Sequence, residues 1–350
     1  MALSNAILEY AKNIDNMDEI RDTVKIITHK HVSLDIKAEY FKDVGTELLK
    51  SIKEILGDAA TEEILHAWKE AYFFLADILI ENTENMQTEL ESKGGWIGFE
   101  KFKIDAKIPE TSDIASFYLK RANGKPLLKF KAGQYLSIRF PKGSITNINY
   151  DILRNYSLSC GENSDHYRIT VKKEAKLKAK PGIISNFLHN NMQEGDELEI
   201  GMPCGTFNLK ENERPIVLLG GGIGVTPLMS FFQTLISINF EPEIFFMHCV
   251  KNAEEHVFAK EVDTFATQKN IHSFAFYSKP TESKLAIENT QINHGRIEEN
   301  KLQEIIGTPE ICEFYICGPT DFTQSVLKML KSMQVPEGQT NFEYFGPQLQ

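Results

Sequence analysis

The run Pro215-Ile216-Val217-Leu218-Leu219-Gly220-Gly221-Gly222-Ile223-Gly224-Val225-Thr226-Pro227 constrains the chain more than any other stretch. An unbroken apolar segment of this length reads as a strand buried on both faces. The glycines end it, and Leu228–Ile238 then reads as a helix with Pro227 in its first turn. A glycine loop between a buried strand and a helix lets a dinucleotide pyrophosphate approach the helix N-terminus, where free N–H groups favour an anion. The loop is not a full GxGxxG, so by itself it suggests a nucleotide without specifying one. Downstream, Glu243–Cys249, a helix over Ala253–Ala266, Ser273–Ser278, Glu313–Cys317 and a helix over Asp321–Met333 alternate strand with helix, which implies a parallel α/β sheet.

The preceding part has a different rhythm. After Gly94-Gly95-Trp96, short alternating segments at Phe99–Ile108, Ile114–Lys120, Tyr135–Phe140, Tyr156–Ser159 and Tyr167–Lys173 are separated by Gly, Pro, Asn or Asp, which suggests a small antiparallel barrel. The run Arg154-Asn155-Tyr156-Ser157 leads into one of these, Tyr156–Ser159. On a strand, Arg154 and Tyr156 share a face, so a cation and a flat phenol stand side by side, able to hold a phosphate and stack on a planar ring. Taken alone, those four residues are better read as an ordinary amphipathic strand with a surface arginine. Pro181-Gly182-Ile183-Ile184-Ser185 then opens a helix, either as a phosphate site or as a helix start capped by Ser185.

Residues 1–93 contain no proline and read as helices over Met1–Ile14, Met17–His29, Lys37–Leu56 and Thr61–Thr83, with apolar stripes at helical spacing. Four helices with short loops could form a small bundle. The alternative rests on His31, which lies where a helix ends before the Ser33-Leu34-Asp35-Ile36 turn.

Composition narrows the classes. With 38 Lys+Arg against 49 Asp+Glu, the formal net charge is −11, which argues against nucleic-acid binding. The 5 cysteines form no CxxC pair, so neither a disulfide framework nor a zinc site is expected. The longest apolar stretch, Ala71–Ile80, carries Asp77 and is too short to span a bilayer. The expectation is a soluble cytoplasmic protein without stable membrane insertion.

Taken together, Arg154-x-Tyr156-Ser157, Gly182-x-x-Ser185, Gly222-x-Gly224-x-Thr226-Pro227 and Cys317-Gly318-Pro319 resemble the ferredoxin–NADP reductase superfamily. The string Lys30-His31-Val32-Ser33-Leu34-Asp35-Ile36-Lys37 with Tyr40-Phe41, Ala67-Trp68-Lys69-Glu70-Ala71-Tyr72, and the tail Glu343-Tyr344-Phe345-Gly346-Pro347 resemble a flavohaemoglobin. The resemblance implies an all-α partial globin over 1–93, an antiparallel β-barrel FAD-binding domain over 94–209, and an α/β parallel-sheet NAD(P)-binding domain over 210–350. It implies that Arg154 holds the FAD pyrophosphate and that Tyr156 and Ser157, with Asn155 between them, meet the flavin. Gly182 and Ser185 would touch the phosphates, with Tyr135 at the adenine or ribose side. Gly222, Ile223, Gly224, Val225, Thr226 and Pro227 would cradle NADH or NADPH, and Cys317, Gly318 and Pro319 would turn beside the nicotinamide. Phe345 would lie on the flavin face, flanked by Tyr344, Gly346 and Pro347, with Tyr344 where the family often has cysteine. His31 would be the axial ligand of haem b.

By resemblance the activity is nitric oxide dioxygenation, converting nitric oxide and oxygen to nitrate with electrons from NAD(P)H. The alternative is a haem-free flavin reductase serving a separate redox acceptor. Phe41 and Thr83 occupy the positions where the family backs its histidine with a tyrosine and a glutamate, although Tyr40, Glu81 and Glu84 are adjacent. Residues 1–14 resemble the later part of the globin E helix, and this stretch supplies mainly one wall of a pocket. Weak or no haem retention is therefore expected.

Overall fold

The computed structural model describes residues 20–145, 147–174 and 182–345; the expected helix Met1–Ile14 and Pro181, Gly346 and Pro347 lie outside them. Among the described residues three helices come first, α1 (Arg21–Leu34), α2 (Ala38–Leu56) and α3 (Glu62–Ser92). Helix α1 runs past His31 and stops where Asp35 adopts a left-handed conformation. Thr61 caps α3 by accepting the Ile64 N–H, with Glu62 and Glu63 favourably placed in its first turn. That helix outruns the stripe ending at Thr83, because Met86 and Leu90 leave the helical core and pack on the barrel that follows.

Strands β1 (Phe99–Pro109), β2 (Ile114–Arg121), β3 (Tyr135–Phe140), β4 (Ile152–Ser157), β5 (Tyr167–Lys172) and β6 (Glu197–Gly201) form one antiparallel sheet in the order β4-β3-β6-β1-β2-β5. A bridge between Leu158 and Ile169 joins its two edges and closes the barrel. Helix α4 (Ile183–Asn191) buries Ile184 and Leu188 in the barrel core. The Lys107 ammonium, on β1, donates to the carbonyls of Leu188, His189 and Met192 at the far end of α4.

The remaining sheet is parallel throughout: β7 (Ile216–Gly221), β8 (Ile244–Val250), β9 (Ile271–Tyr277), β10 (Thr290–His294), β11 (Glu313–Gly318) and β12 (Thr340–Tyr344), ordered β10-β9-β8-β7-β11-β12. Helices α5 (Val225–Ser237), α6 (Ala259–Phe265), α7 (Glu299–Ile306) and α8 (Thr320–Ser332) accompany it. The expected single helix over Ala253–Ala266 is broken, with a short turn at Ala253–Glu255 and Phe258 in a left-handed conformation before α6. The segment ending in Tyr344, read as a tail, is an edge strand.

Barrel and parallel sheet share a polar seam. Ser230 donates to the Cys160 carbonyl, while Gln233 and Thr234 accept the Gly161 and Glu162 N–H groups. Buried Arg168 of β5 pairs with Glu261 of α6 at 2.9 Å, and Lys172 pairs with Glu255 at 3.0 Å. No helix among the described residues is long and apolar enough to cross a membrane.

Candidate functional site

The chain order turns over at β7, which has β8 on one side and β11 on the other. In an open parallel sheet, such a switch point leaves a crevice beyond the strand carboxyl ends, where ligands bind. Two glycine turns meet there. A Cβ on Gly224 would come within 2.6 Å of the Cys317 carbonyl oxygen and of the Gly318 Cα, so the loop after β7 and the turn after β11 touch through bare backbone. Gly222 has φ +55° and open space where a Cβ would project, so its conformation favours glycine and its outer side is free for a ligand. Val225, Thr226 and Pro227 are buried in the start of α5, with the Thr226 hydroxyl donating to the Ile223 carbonyl, while Ile223 stays half-exposed.

Cys317 is fully buried, and burial holds its thiol well above the usual range, which removes it as a nucleophile. Pro319 is exposed beside it. Tyr344 lies across from Gly318 in the β11–β12 register, and the Phe345 N–H donates to the Gly318 carbonyl at 2.8 Å. The Phe345 ring packs partly buried on the core beneath α5. Strand β12 thereby delivers an aromatic to the switch point.

On the barrel, Arg154 of β4 is exposed and, among the described residues, has no acidic partner; its guanidinium donates only to the Leu153 carbonyl. A solvent-facing cation without a counter-ion is available to a phosphate. Tyr156, on the same face, is half-buried, and burial raises its phenol so that it stays neutral. Asn155 accepts the Ser137 hydroxyl at 2.7 Å, which ties β3 to β4, and Ser157 is buried opposite Tyr135. At α4, Gly182 is the N-cap and, among the described residues, no side chain caps it, so the start is not capped by Ser185. The Ser185 hydroxyl instead accepts the Glu174 N–H at 3.2 Å, and a Cβ on Gly182 would meet that hydroxyl at 2.8 Å.

Helix α1 reaches this region from the other side. Tyr135 does not stand free, because its hydroxyl lies 3.3 Å from that of Ser33, and burial pushes it up to about 12. Glu343 of β12 is pushed up to about 7 by burial, opposed by Lys30 of α1. Sequence reasoning passed over Glu343 as part of a tail, and over His248, a polar residue inside the apolar run of β8. The latter oddity was a usable signal.

His31 is half-buried, burial keeps its imidazole neutral, and among the described residues its buried Nδ1 has no hydrogen-bond partner. The Phe41 ring stands edge-on at 5.3 Å. Thr83 donates to the Leu79 carbonyl, while Tyr40, Glu81 and Glu84 are exposed. A neutral imidazole suits iron ligation, so the donor fits haem; what the site lacks is a group to orient it. The described residues hold no group of three or more His, Cys, Asp or Glu able to bind a metal, so His31 would act as a single axial ligand.

A closed antiparallel barrel with an unpaired arginine, docked on a parallel sheet with a glycine switch point and preceded by globin-type helices, defines a flavin- and nicotinamide-dependent oxidoreductase with an appended globin unit. Family models match accordingly: Globin over residues 1–79, Oxidoreductase FAD-binding domain over 101–209 and Oxidoreductase NAD-binding domain over 218–328. The chain is 41% identical over 350 residues to a flavohemoprotein of Halalkalibacterium halodurans, covering 99% of this chain and 84% of that one. It is 39% identical to the Bacillus subtilis flavohemoprotein, covering 99% and 85%. Among solved structures, a flavohemoglobin from Malassezia yamatoensis with bound FAD and heme superposes with a TM-score of 0.83 at 24% identity, covering 99% and 85% of the two chains. The FAD/NAD-binding domain of a nitric oxide dioxygenase from Vibrio cholerae matches at 32% identity and TM-score 0.63, covering 71% of this chain and 99% of that one. The chain belongs to the flavohemoprotein family.

Proposed function

We propose that the chain is an NAD(P)H-dependent oxidoreductase that carries electrons through FAD to haem and consumes nitric oxide with oxygen, giving nitrate. When bound, NAD(P)H would supply a hydride, FAD would supply the chemistry that passes its two electrons on one at a time with the proton released to solvent, and haem iron would supply the site for oxygen and nitric oxide. The protein's part is alignment. Arg154 holds the FAD pyrophosphate, Tyr156 and Ser157 line its ring, and the α4 start at Gly182 and Ser185 meets its phosphates. The loop Gly222–Pro227 and the turn Cys317–Pro319 place the nicotinamide. Phe345 covers the flavin face from β12, and His31 ligates the iron. No side chain needs to act as a general acid or base for the hydride step. On this reading the division into functional units falls at 93 and 209.

The observation that carries this reading is the contact of the two glycine turns at the switch point, with Phe345 bonded to one of them. Purified protein is expected to show a flavin absorption band that NADH bleaches, and, once supplied with haem, to consume nitric oxide in an NADH-dependent way. A flavin that NADH leaves oxidised would sink the proposal. The unpartnered Nδ1 of His31 favours one second reading, delivery of electrons to a separate redox acceptor without haem. NADH-driven ferricyanide reduction without nitric oxide consumption in haem-supplied protein selects that reading.

A further inference from the structure

Beneath the glycine loop lies a buried pair of histidines that the hydride chemistry does not use. His248 sits on β8 opposite Gly220 of β7 and is 1% exposed. Its ring reaches past the strand end, and its Nε2 stands 2.9 Å from the carbonyl oxygen of Gly222. An acceptor at that distance sets the tautomer, with Nε2 carrying the proton and Nδ1 bare. That Nδ1 is buried and, among the described residues, has no hydrogen-bond partner. His256, 6% exposed in the segment after β8, stands with its ring 5.1 Å from that of His248 at 66°. Its own Nδ1 lies 3.0 Å from the hydroxyl of Tyr277, at the end of β9. A chain of contacts from Tyr277 through His256 to His248 thus ends on that one carbonyl.

Burying a polar ring among apolar neighbours is costly, and leaving one nitrogen unpaired adds to the cost. A hydrophobic residue would fill the place without that penalty, so the hydrogen bond to Gly222 is the feature His248 provides. Gly222 has φ +55°; its carbonyl already accepts the Val225 N–H of the following turn, and the His248 donor fills the second lone pair, which water would otherwise take. With the carbonyl drawn down onto β8, the far side of the loop is left to face the crevice.

We propose that His248 is a positioning residue for the nicotinamide dinucleotide: it anchors the Gly222 carbonyl from below, braced by His256 and Tyr277, and so fixes the loop's shape for the pyrophosphate. The proposal rests on the reading of Gly222–Pro227 as the dinucleotide loop, and it adds a residue that touches neither cofactor.

The test uses the full chain loaded with FAD, with NADH as substrate and ferricyanide as acceptor. His248→Leu is expected to raise the KM for NADH about tenfold while kcat and flavin content stay within a factor of two. His248→Gln, which keeps a donor, restores most of the loss. Tyr277→Phe, which removes only the brace and keeps the ring volume, is expected to raise KM two- to threefold. A purely structural role would lower flavin content or kcat alike in the Leu and Gln variants. An unchanged KM in His248→Leu, or equal losses in Leu and Gln, overturns the proposal. Should His248→Leu fail to fold, an unchanged KM in Tyr277→Phe overturns it. A wild-type flavin that NADH leaves oxidised overturns the dinucleotide reading itself, and the proposal with it.

Discussion

The Nδ1 of His29 accepts the backbone N–H of Gly205 at 3.1 Å, joining α1 to the loop after β6. Burial and neighbouring Lys25 lower its imidazole to about 4, so the ring is neutral and able to accept. Ser33, four residues on, shares that helical face and meets Tyr135, whereas His31 projects from the opposite face toward Phe41. One helix therefore presents two faces with separate tasks, docking on the barrel and offering an imidazole to the helical unit. His29→Ala leaves the Gly205 N–H without its acceptor, and a loss of about 1–2 kcal/mol is expected. Urea unfolding followed by tryptophan fluorescence measures it, and an unchanged midpoint would show that the contact adds nothing.

Arg154→Ala should weaken FAD binding about 10–100-fold, the worth of roughly 1.5–3 kcal/mol for a charge-assisted contact. Because the guanidinium is exposed and, among the described residues, lacks an acidic partner, apoprotein stability should not move. Flavin fluorescence titration reads the affinity, and Arg154→Lys should recover part of it.

Acid should destabilise the parallel sheet through its buried histidines. Burial lowers His248 to about 4 and His256 to about 3, from 6.5 in the unfolded chain. With both folded values depressed, the unfolded state binds more protons below pH 6.5. Stability is therefore whole above pH 6.5 and falls as pH drops toward 4. At pH 5, His248 alone should account for about 2 kcal/mol. Urea midpoints across this range should fall, and His248→Gln should flatten the slope.

Cys317→Ala should keep NADH-driven flavin reduction, since the thiol is buried and held protonated, at a packing cost of roughly 1 kcal/mol. Native protein should leave Cys317 unlabelled by iodoacetamide, as read by peptide mass spectrometry. Loss of turnover without loss of folding would restore the thiol to the chemistry.

Phe41→Tyr should tighten haem binding, on the order of tenfold, by offering a hydroxyl near the orphaned His31 Nδ1. The haem absorption band titrated against apoprotein reports it. Equal titration curves would mean that the ring edge does not face that nitrogen.

Much of this was legible because the informative residues sit on strongly patterned elements. The apolar run at 216–219 and its glycines placed the strand–loop–helix unit, and Arg154 with Tyr156 marked a strand face by alternation alone. Edge strands were harder. Strands β10 and β12 carry mixed, partly exposed residues and show no apolar alternation, so β10 went unread and β12 passed for a tail. The break at Phe258 depends on a left-handed residue that periodicity cannot register. The Tyr135–Ser33 contact joins residues 102 positions apart, a distance over which no local pattern carries information. The absent partner for His31 was readable in Phe41, because a residue type alone settles whether a hydrogen bond is available.

The bond from the Phe345 N–H to the carbonyl of Gly318 has a consequence for how the protein is made. Chains fold as they leave the ribosome, N-terminal parts first, and β12 follows every other described strand. A nascent chain could close its barrel and dock α1 well before the aromatic reaches the switch point. Synthesis would then assemble the barrel wall first and the Phe345 contact last, so that an interrupted product lacks the aromatic proposed to cover the flavin face.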